Sequence, residues 1–108
     1  MKLREMGYKH HGLSNGDARQ ILRYIRSDAF NRHDIVMACA IASNSAIADE
    51  LYSSIVDKIS YDRLTVQNYI PLPKVDFYGY RRLCLANIKD AIESSEEKSV
   101  YKSNRKML

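Results

Sequence analysis

Residues 70–88 read IPLPKVDFYGYRRLCLANI, which predicts a turn followed by an amphipathic helix. Pro73 suits the first turn of a helix, because the N–H that proline lacks would have no partner there. Beyond Pro73, apolar side chains recur at helical spacing and form one stripe: Phe77, Cys84, Ile88, Ala91 and Ile92. We therefore expect a helix from about Pro73 to Ser94, with Phe77, Cys84 and Ile88 turned toward a core.

A basic and aromatic face adjoins this apolar stripe. It consists of Lys74, Tyr78, Arg81 and Arg82, which are spaced four, three and one residues apart. Tyr78 and Arg82 are expected to point outward, and Arg81 to lie near the border of the core. Lys and Arg contact phosphates and base edges, and Tyr donates to phosphate or stacks. The face is thus either a nucleic-acid contact or a solvated helix surface.

A first helix is predicted to begin after Ser14 and to fade around residues 28–31. Ser14 is a favourable N-cap, and Asp17 is placed to complete a capping box. Ala18, Ile21, Leu22 and Ile25 follow at the spacing of one apolar stripe. Arg19, Arg23 and Arg26 lie away from that stripe. We expect these arginines to pair with Asp49, Glu50 and Asp57 rather than with phosphates.

The middle of the chain predicts a second, longer helix. Asp34 is its expected cap, and its apolar seam runs through Val36, Ala40, Ile47, Leu51, Ile55 and Ile59. Three weak helix formers at residues 43–45 mark either a bend or a break. We favour one continuous helix. Residues 60–69 are ambiguous: Tyr61, Leu64 and Val66 are able to anchor either a short helix or an irregular link.

Length and composition indicate a single all-α domain of three to four helices. The chain has 108 residues, the size of one domain, and its 4 Gly and 2 Pro are too few for a turn-rich β fold. We divide it into an N-terminal arm (1–13), a helical domain (14–94) and a polar C-terminal tail (95–108).

The net charge of +4 is unevenly distributed. Residues 1–33 carry seven basic and three acidic side chains, whereas residues 34–60 carry one basic and four acidic ones. Basic flanks around an acidic middle permit a polyanionic partner, although ordinary solvated faces produce the same pattern.

Other chemistries have little support in the sequence. His10, His11 and His33 lack companion ligands at metal-binding spacing, and no phosphate loop or catalytic carboxylate pair occurs. Cys39 and Cys84 stand among apolar residues and are expected to be buried thiols. The longest apolar run, 35–42, is far below the ~20 residues of a membrane helix. We expect no enzyme, metal, cofactor or membrane partner, and a cytoplasmic location.

The IPLP turn at 70–73, the DFY at 76–78 and the YRR at 80–82 carry a family resemblance. Residues 60–92 resemble the C-terminal segment of small phage-encoded transcriptional regulators of the RinA and ArpU type, compact relatives of sigma-factor region 4. The resemblance implies a helix-turn-helix in which Lys74, Asp76, Tyr78, Arg81 and Arg82 meet duplex DNA and Phe77 packs inside. Where that family has Ser or Thr before the recognition helix, this chain has Pro73 and then Lys74.

The sequence thus predicts a small DNA-binding regulator, with a dimer seam on the second helix if it binds as a homodimer. Substituting Arg81 and Arg82 together by alanine is expected to abolish DNA binding without changing the melting curve. The alternatives are a helical protein-interaction module and a phage structural protein. Eight tyrosines, five of them between Tyr52 and Tyr80, suit a protein interface.

Overall fold

Five α-helices and one short 3₁₀ turn make up the part of the chain that the computed structural model describes, Gly7 and residues 11–94. In order, they are α1 (Asn15–Ile25), α2 (His33–Asn44), the 3₁₀ turn (Ser45–Ile47), α3 (Ala48–Val56), α4 (Tyr61–Gln67) and α5 (Lys74–Ser94). These residues contain no strand, so the expected all-α bundle is confirmed. No helix among them is long and apolar enough to cross a membrane.

The apolar stripe of α5 forms the centre of the core. Phe77, Cys84 and Ile88 are fully buried, as their spacing predicted, and Leu85 is buried beside them. They share one core with buried residues of the neighbouring helices: Val36, Ala40, Ile47, Leu51 and Ile55. Because α5 packs against α2, α3, α1 and α4, this helix organises the whole domain.

The start of α1 follows the predicted capping box. The Ser14 hydroxyl accepts the Asp17 N–H at 2.9 Å, and the Asp17 carboxylate accepts the Ser14 N–H at 3.2 Å. The helix ends at Ile25, earlier than expected, because the chain turns back to bury Phe30. The Phe30 ring meets Tyr24 and His33 edge-on, at centroid distances of 5.3 and 4.9 Å.

The prediction of one continuous second helix is wrong, because the helix ends at Asn44 and a 3₁₀ turn follows. Asn44 has an extended backbone, and its side-chain oxygen accepts the Ala46 N–H at 3.1 Å, which caps a new turn. The predicted cap is also wrong: α2 begins at His33, and Asp34 lies in its first turn. Arg32 pairs with Asp34 at 3.1 Å, and this hydrogen bond lowers the pKa of the exposed carboxyl.

The ambiguous segment 60–69 forms the short helix α4 and the start of a turn. The Ser60 hydroxyl accepts the Arg63 N–H at 3.3 Å, and Asn68 is extended, which ends the helix. Leu64 is the buried anchor, whereas Val66 points to solvent. The predicted arm and tail lie outside the described residues except for Gly7 and 11–13, of which Leu13 belongs to the core.

Candidate nucleic-acid interface

A helix, a turn and a second helix follow one another at α4, residues 68–73 and α5. Tyr61, the first residue of α4, holds the three parts together. Its hydroxyl donates to the Leu72 carbonyl at 2.6 Å, and its ring lies 5.4 Å from that of Phe77. Ile70 is buried within the turn. The start of α5 is therefore set against α4 by a hydrogen bond and by apolar packing.

Tyr78 does not point outward as predicted. Its ring is half-buried and meets Phe77 edge-on at 5.5 Å, and its hydroxyl accepts the Tyr61 N–H at 3.2 Å. The first N–H groups of a helix have no acceptor within that helix. The Tyr78 hydroxyl is the acceptor for the first N–H of α4, that of Tyr61. Tyr78 of α5 therefore joins α5 to α4.

Arg81 is also turned toward a neighbouring helix. It is half-buried, and its Nε donates at 2.9 Å to the hydroxyl of Ser54, a residue of α3 that is only 3% exposed. Its guanidinium carbon lies 5.9 Å from the centre of the Tyr78 ring, within range of a cation–π contact. Tyr78 and Arg81 thus belong to the packing that supports α5 rather than to an outer ridge.

We expect Arg81→Ala to lower the free energy of unfolding by about 1–3 kcal/mol, because the buried Ser54 hydroxyl loses a charged donor. Because Arg81 also donates to a buried hydroxyl of α3, the double substitution of Arg81 and Arg82 would change stability as well as any DNA contact. Urea denaturation followed by circular dichroism measures the loss. Arg23→Ala, at an exposed position of α1, is the control and should change stability by less than about 0.5 kcal/mol. Equal stability of the two variants would contradict the role given to Arg81.

The other residues predicted to contact DNA, Lys74, Asp76 and Arg82, differ in exposure. Lys74 is exposed and its Nζ lies 3.0 Å from the Asp62 carboxylate, a hydrogen bond that raises the pKa of Lys74. Asp76 and Arg82 are half-buried. Val75 is 53% exposed, and Arg82 follows seven residues later, about 20° away around the helix axis. Val75 and Arg82 therefore lie on one side of α5, and Lys74 borders that side, about 80–100° around the axis. We call Lys74, Val75 and Arg82 the reading face.

Two exposed apolar side chains, at the end of α4 and in the turn that follows, were not predicted. Val66 at the end of α4 is 84% exposed, and Tyr69 in the turn is 88% exposed. The sequence indicated little about their exposure, because apolar residues at positions 66 and 69 fit a buried segment as well as an exposed one. The Asp62–Lys74 pair was also missed, since it requires α4 to be a helix packed beside the start of α5.

The arginines of α1 do not all behave as predicted. Arg26 donates from Nε to the Ile55 carbonyl at 2.9 Å and from Nη2 to the Ser54 carbonyl at 3.4 Å, so the expected pairing with an acidic side chain is wrong for this residue. These carbonyls lie near the carboxyl end of α3, where a cation is favoured. Arg19 and Arg23 are exposed.

The described residues contain no group of three or more His, Cys, Asp or Glu placed to hold a metal ion. Cys39 and Cys84 are buried free thiols, and burial raises the pKa of each. Compared with known proteins, the chain matches no family model, no curated protein and no solved structure. The resemblance to RinA and ArpU regulators therefore stays a prediction.

Proposed function

We propose that the chain is a small DNA-binding transcriptional regulator of the phage or prophage type, located in the cytoplasm. In this proposal α4 and α5 act as a helix-turn-helix, and α5 enters the major groove. The observation that carries the proposal is the division of α5 into two sides. Phe77 and Cys84 anchor one side in the core, while Lys74 and Val75 remain exposed directly after a turn held by Tyr61.

The side chains of the reading face suit three kinds of DNA contact. Arg82 is able to bind guanine or phosphate, and Val75 offers an apolar contact to a thymine methyl group. Lys74 is engaged by Asp62, but an exposed ion pair contributes only about 0–1 kcal/mol, so a phosphate oxygen is able to compete for it. Asp76, which lies about 120° around the helix axis from Arg82, is outside the reading face, so the predicted contact of Asp76 with DNA is not part of this proposal.

Selection from a pool of random duplexes tests the proposal. The wild-type protein should enrich a defined motif, because contacts to base edges depend on sequence. Arg82→Ala should weaken binding to that motif by about 1–3 kcal/mol, the contribution of one good bidentate contact. Val75→Ala should relax the preference for thymine at one position. Both are checked by fluorescence anisotropy with the enriched duplex.

Gln20→Ala is the control for Val75→Ala, because Gln20 is exposed, carries no charge and lies on α1, outside both the helix-turn-helix and α2. It should leave affinity and motif unchanged. Failure of the wild-type protein to enrich any motif would contradict sequence-specific reading. A weakening by Gln20→Ala equal to that by Val75→Ala would remove Val75 from the site.

A protein-interaction module is the second candidate, and the exposed Val66, Tyr69 and Val75 favour it. Tyrosine and apolar side chains of this kind are enriched at protein interfaces. Salt separates the two candidates, because binding through several phosphates weakens steeply as the salt concentration rises, whereas binding through an apolar interface changes little.

A homodimer through α2 belongs to the main proposal. Ala38, Ile41 and Ala42 form an exposed apolar strip at helical spacing, which a second copy of the chain would cover.

A further inference from the structure

A second basic surface lies on α1, outside the helix-turn-helix. Arg19, Arg23 and Arg26, which we call the arginine face, are spaced four and three residues apart and so lie on one side of the helix. They surround a shallow hollow of about 520 Å³, whose other lining residues are Leu22 and Ser27. None of the side chains that line this hollow is acidic.

The arginine face meets α5 through Ser54. Arg26 donates to the Ser54 carbonyl at 3.4 Å, and Arg81 donates to the Ser54 hydroxyl at 2.9 Å. Both acceptors are neutral, so these bonds hold two guanidinium groups near each other without cancelling their charge. Burial, and then the charge of Arg81, lower the pKa of Arg26, which is consistent with that proximity. Positive charge therefore extends from α1 to the middle of α5.

The dimensions of this surface fit a nucleic-acid backbone. Arg19 and Arg26 are seven residues apart, or about 10 Å along the axis of α1 at 1.5 Å per residue. A duplex presents one phosphate per strand about every 3.4 Å of its axis, so the arginine face spans roughly three of these steps. Arg81, which shares Ser54 with Arg26, lies a similar ~10 Å along α5 from Lys74, so the arginine face is joined through Ser54 to the helix that carries the reading face.

The composition of the hollow favours DNA over an acidic protein. Arginine is enriched at protein interfaces, but together with aromatic side chains and methionine, and neither of these lines the hollow. Here three arginines surround the hollow, and Leu22, its apolar lining residue, is half-buried. A surface composed chiefly of guanidinium groups is typical of phosphate recognition, because each group presents several N–H donors in one plane.

We propose that the arginine face of α1 binds backbone phosphates of the same duplex that α5 reads, on the flank of the read bases. This inference rests on the proposed function. Arg19 and Arg23, which are exposed, make the phosphate contacts. Arg26 is held by the carbonyls of α3, adds its charge to the surface and positions the carboxyl end of α1.

A salt titration tests the inference with a fluorescein-labelled duplex of mixed sequence, about 30 base pairs long, over about 50–200 mM NaCl. For the wild-type protein, the logarithm of the association constant should fall linearly with the logarithm of the salt concentration. The double variant Arg19→Gln, Arg23→Gln should reduce the steepness of that line by about 1.8, since each phosphate contact contributes about 0.9. Sequence preference in the duplex selection should not change, because phosphate contacts do not distinguish bases.

Two further variants make the result specific. Arg19→Lys with Arg23→Lys keeps both charges and should retain most of the wild-type steepness. Arg32→Gln with Lys89→Gln removes the same charge outside the arginine face and should change the steepness by less than half as much as the glutamine variant of α1. Circular dichroism melting curves of all variants check that the fold is intact.

The outcomes separate this inference from the proposed function. If the wild-type protein binds and the Arg19→Gln, Arg23→Gln variant shows the same salt dependence, the inference alone is overturned. The arginine face is then exposed to solvent or binds an acidic protein. An equal loss of steepness in the Arg32→Gln, Lys89→Gln variant also overturns it, because net charge then explains the effect. A wild-type protein that does not bind the duplex even at the lowest salt contradicts the proposed function, and this inference with it.

Discussion

Phe77→Ala is expected to lower the free energy of unfolding by about 3–5 kcal/mol, the usual cost of removing a fully buried aromatic ring. Phe77 is inaccessible to solvent, and its ring contacts those of Tyr61 and Tyr78. The substitution therefore leaves a cavity where α4 joins α5. Small domains have only about 5–15 kcal/mol of stability, so the variant should be close to unfolding at ambient temperature. Urea denaturation followed by far-ultraviolet circular dichroism measures the change.

Val75→Ala is the matched control, because Val75 belongs to the same helix, two residues away, and is exposed. Its effect on stability should stay within about 0.5 kcal/mol. The pair also separates stability from DNA binding: Phe77→Ala should weaken binding only through unfolding, and Val75→Ala only through contact. A loss below about 1 kcal/mol for Phe77→Ala would show that the ring is not in the core.

Cys84 should be almost unreactive toward thiol reagents while the protein is folded. Burial, the largest cause, raises the pKa of this thiol from its ordinary 9.0 to about 12. Since the thiolate is the reactive form, its fraction near pH 8 is about a thousandfold lower than that of an exposed thiol. Labelling with a chromogenic disulfide should therefore be slow in buffer and fast in urea. The Cys39→Ala variant leaves Cys84 as the only thiol.

The raised pKa of Cys84 also makes stability depend on pH. Below about pH 9 the thiol is protonated in both the folded and the unfolded chain, and its contribution to stability is complete. Between about 9 and 12 the unfolded chain loses the proton that the folded chain keeps, so the free energy of unfolding falls as pH rises. For one group the slope is at most about 1.4 kcal/mol per pH unit.

Comparison with Cys84→Ala isolates this effect, because tyrosines and lysines ionise in the same range in both proteins. The variant should be less stable near neutral pH, since it loses buried volume, but its stability should fall less steeply above about pH 9. Parallel profiles for the two proteins would show that the Cys84 thiol ionises alike in the folded and unfolded chains.

Local patterns were sufficient to predict the elements that depend on neighbours in sequence. The capping box of Ser14 and Asp17 needs only residues three positions apart, and the structure has it as predicted. The stripe of Phe77, Cys84 and Ile88 follows from helical periodicity, and burial confirms it. Such features are encoded within one or two helical turns, so they do not depend on how the helices pack.

The direction of border residues depended on packing instead, whereas the break at Asn44 is made by a local bond between the Asn44 side chain and the Ala46 N–H. A position beside the apolar stripe faces protein where the neighbouring helix has a hydrogen-bond partner for it, and solvent where it has none. Arg81 donates to a buried hydroxyl of α3, and Tyr78 accepts from the first N–H of α4. Arg26 donates to backbone carbonyls of α3 instead of pairing with an acidic side chain. Periodicity and capping residues thus determined α1, α5 and the stripe that α5 buries. Contacts between distant segments decided which polar residues remain on the surface, because hydrogen-bond partners across helices have no regular spacing in sequence.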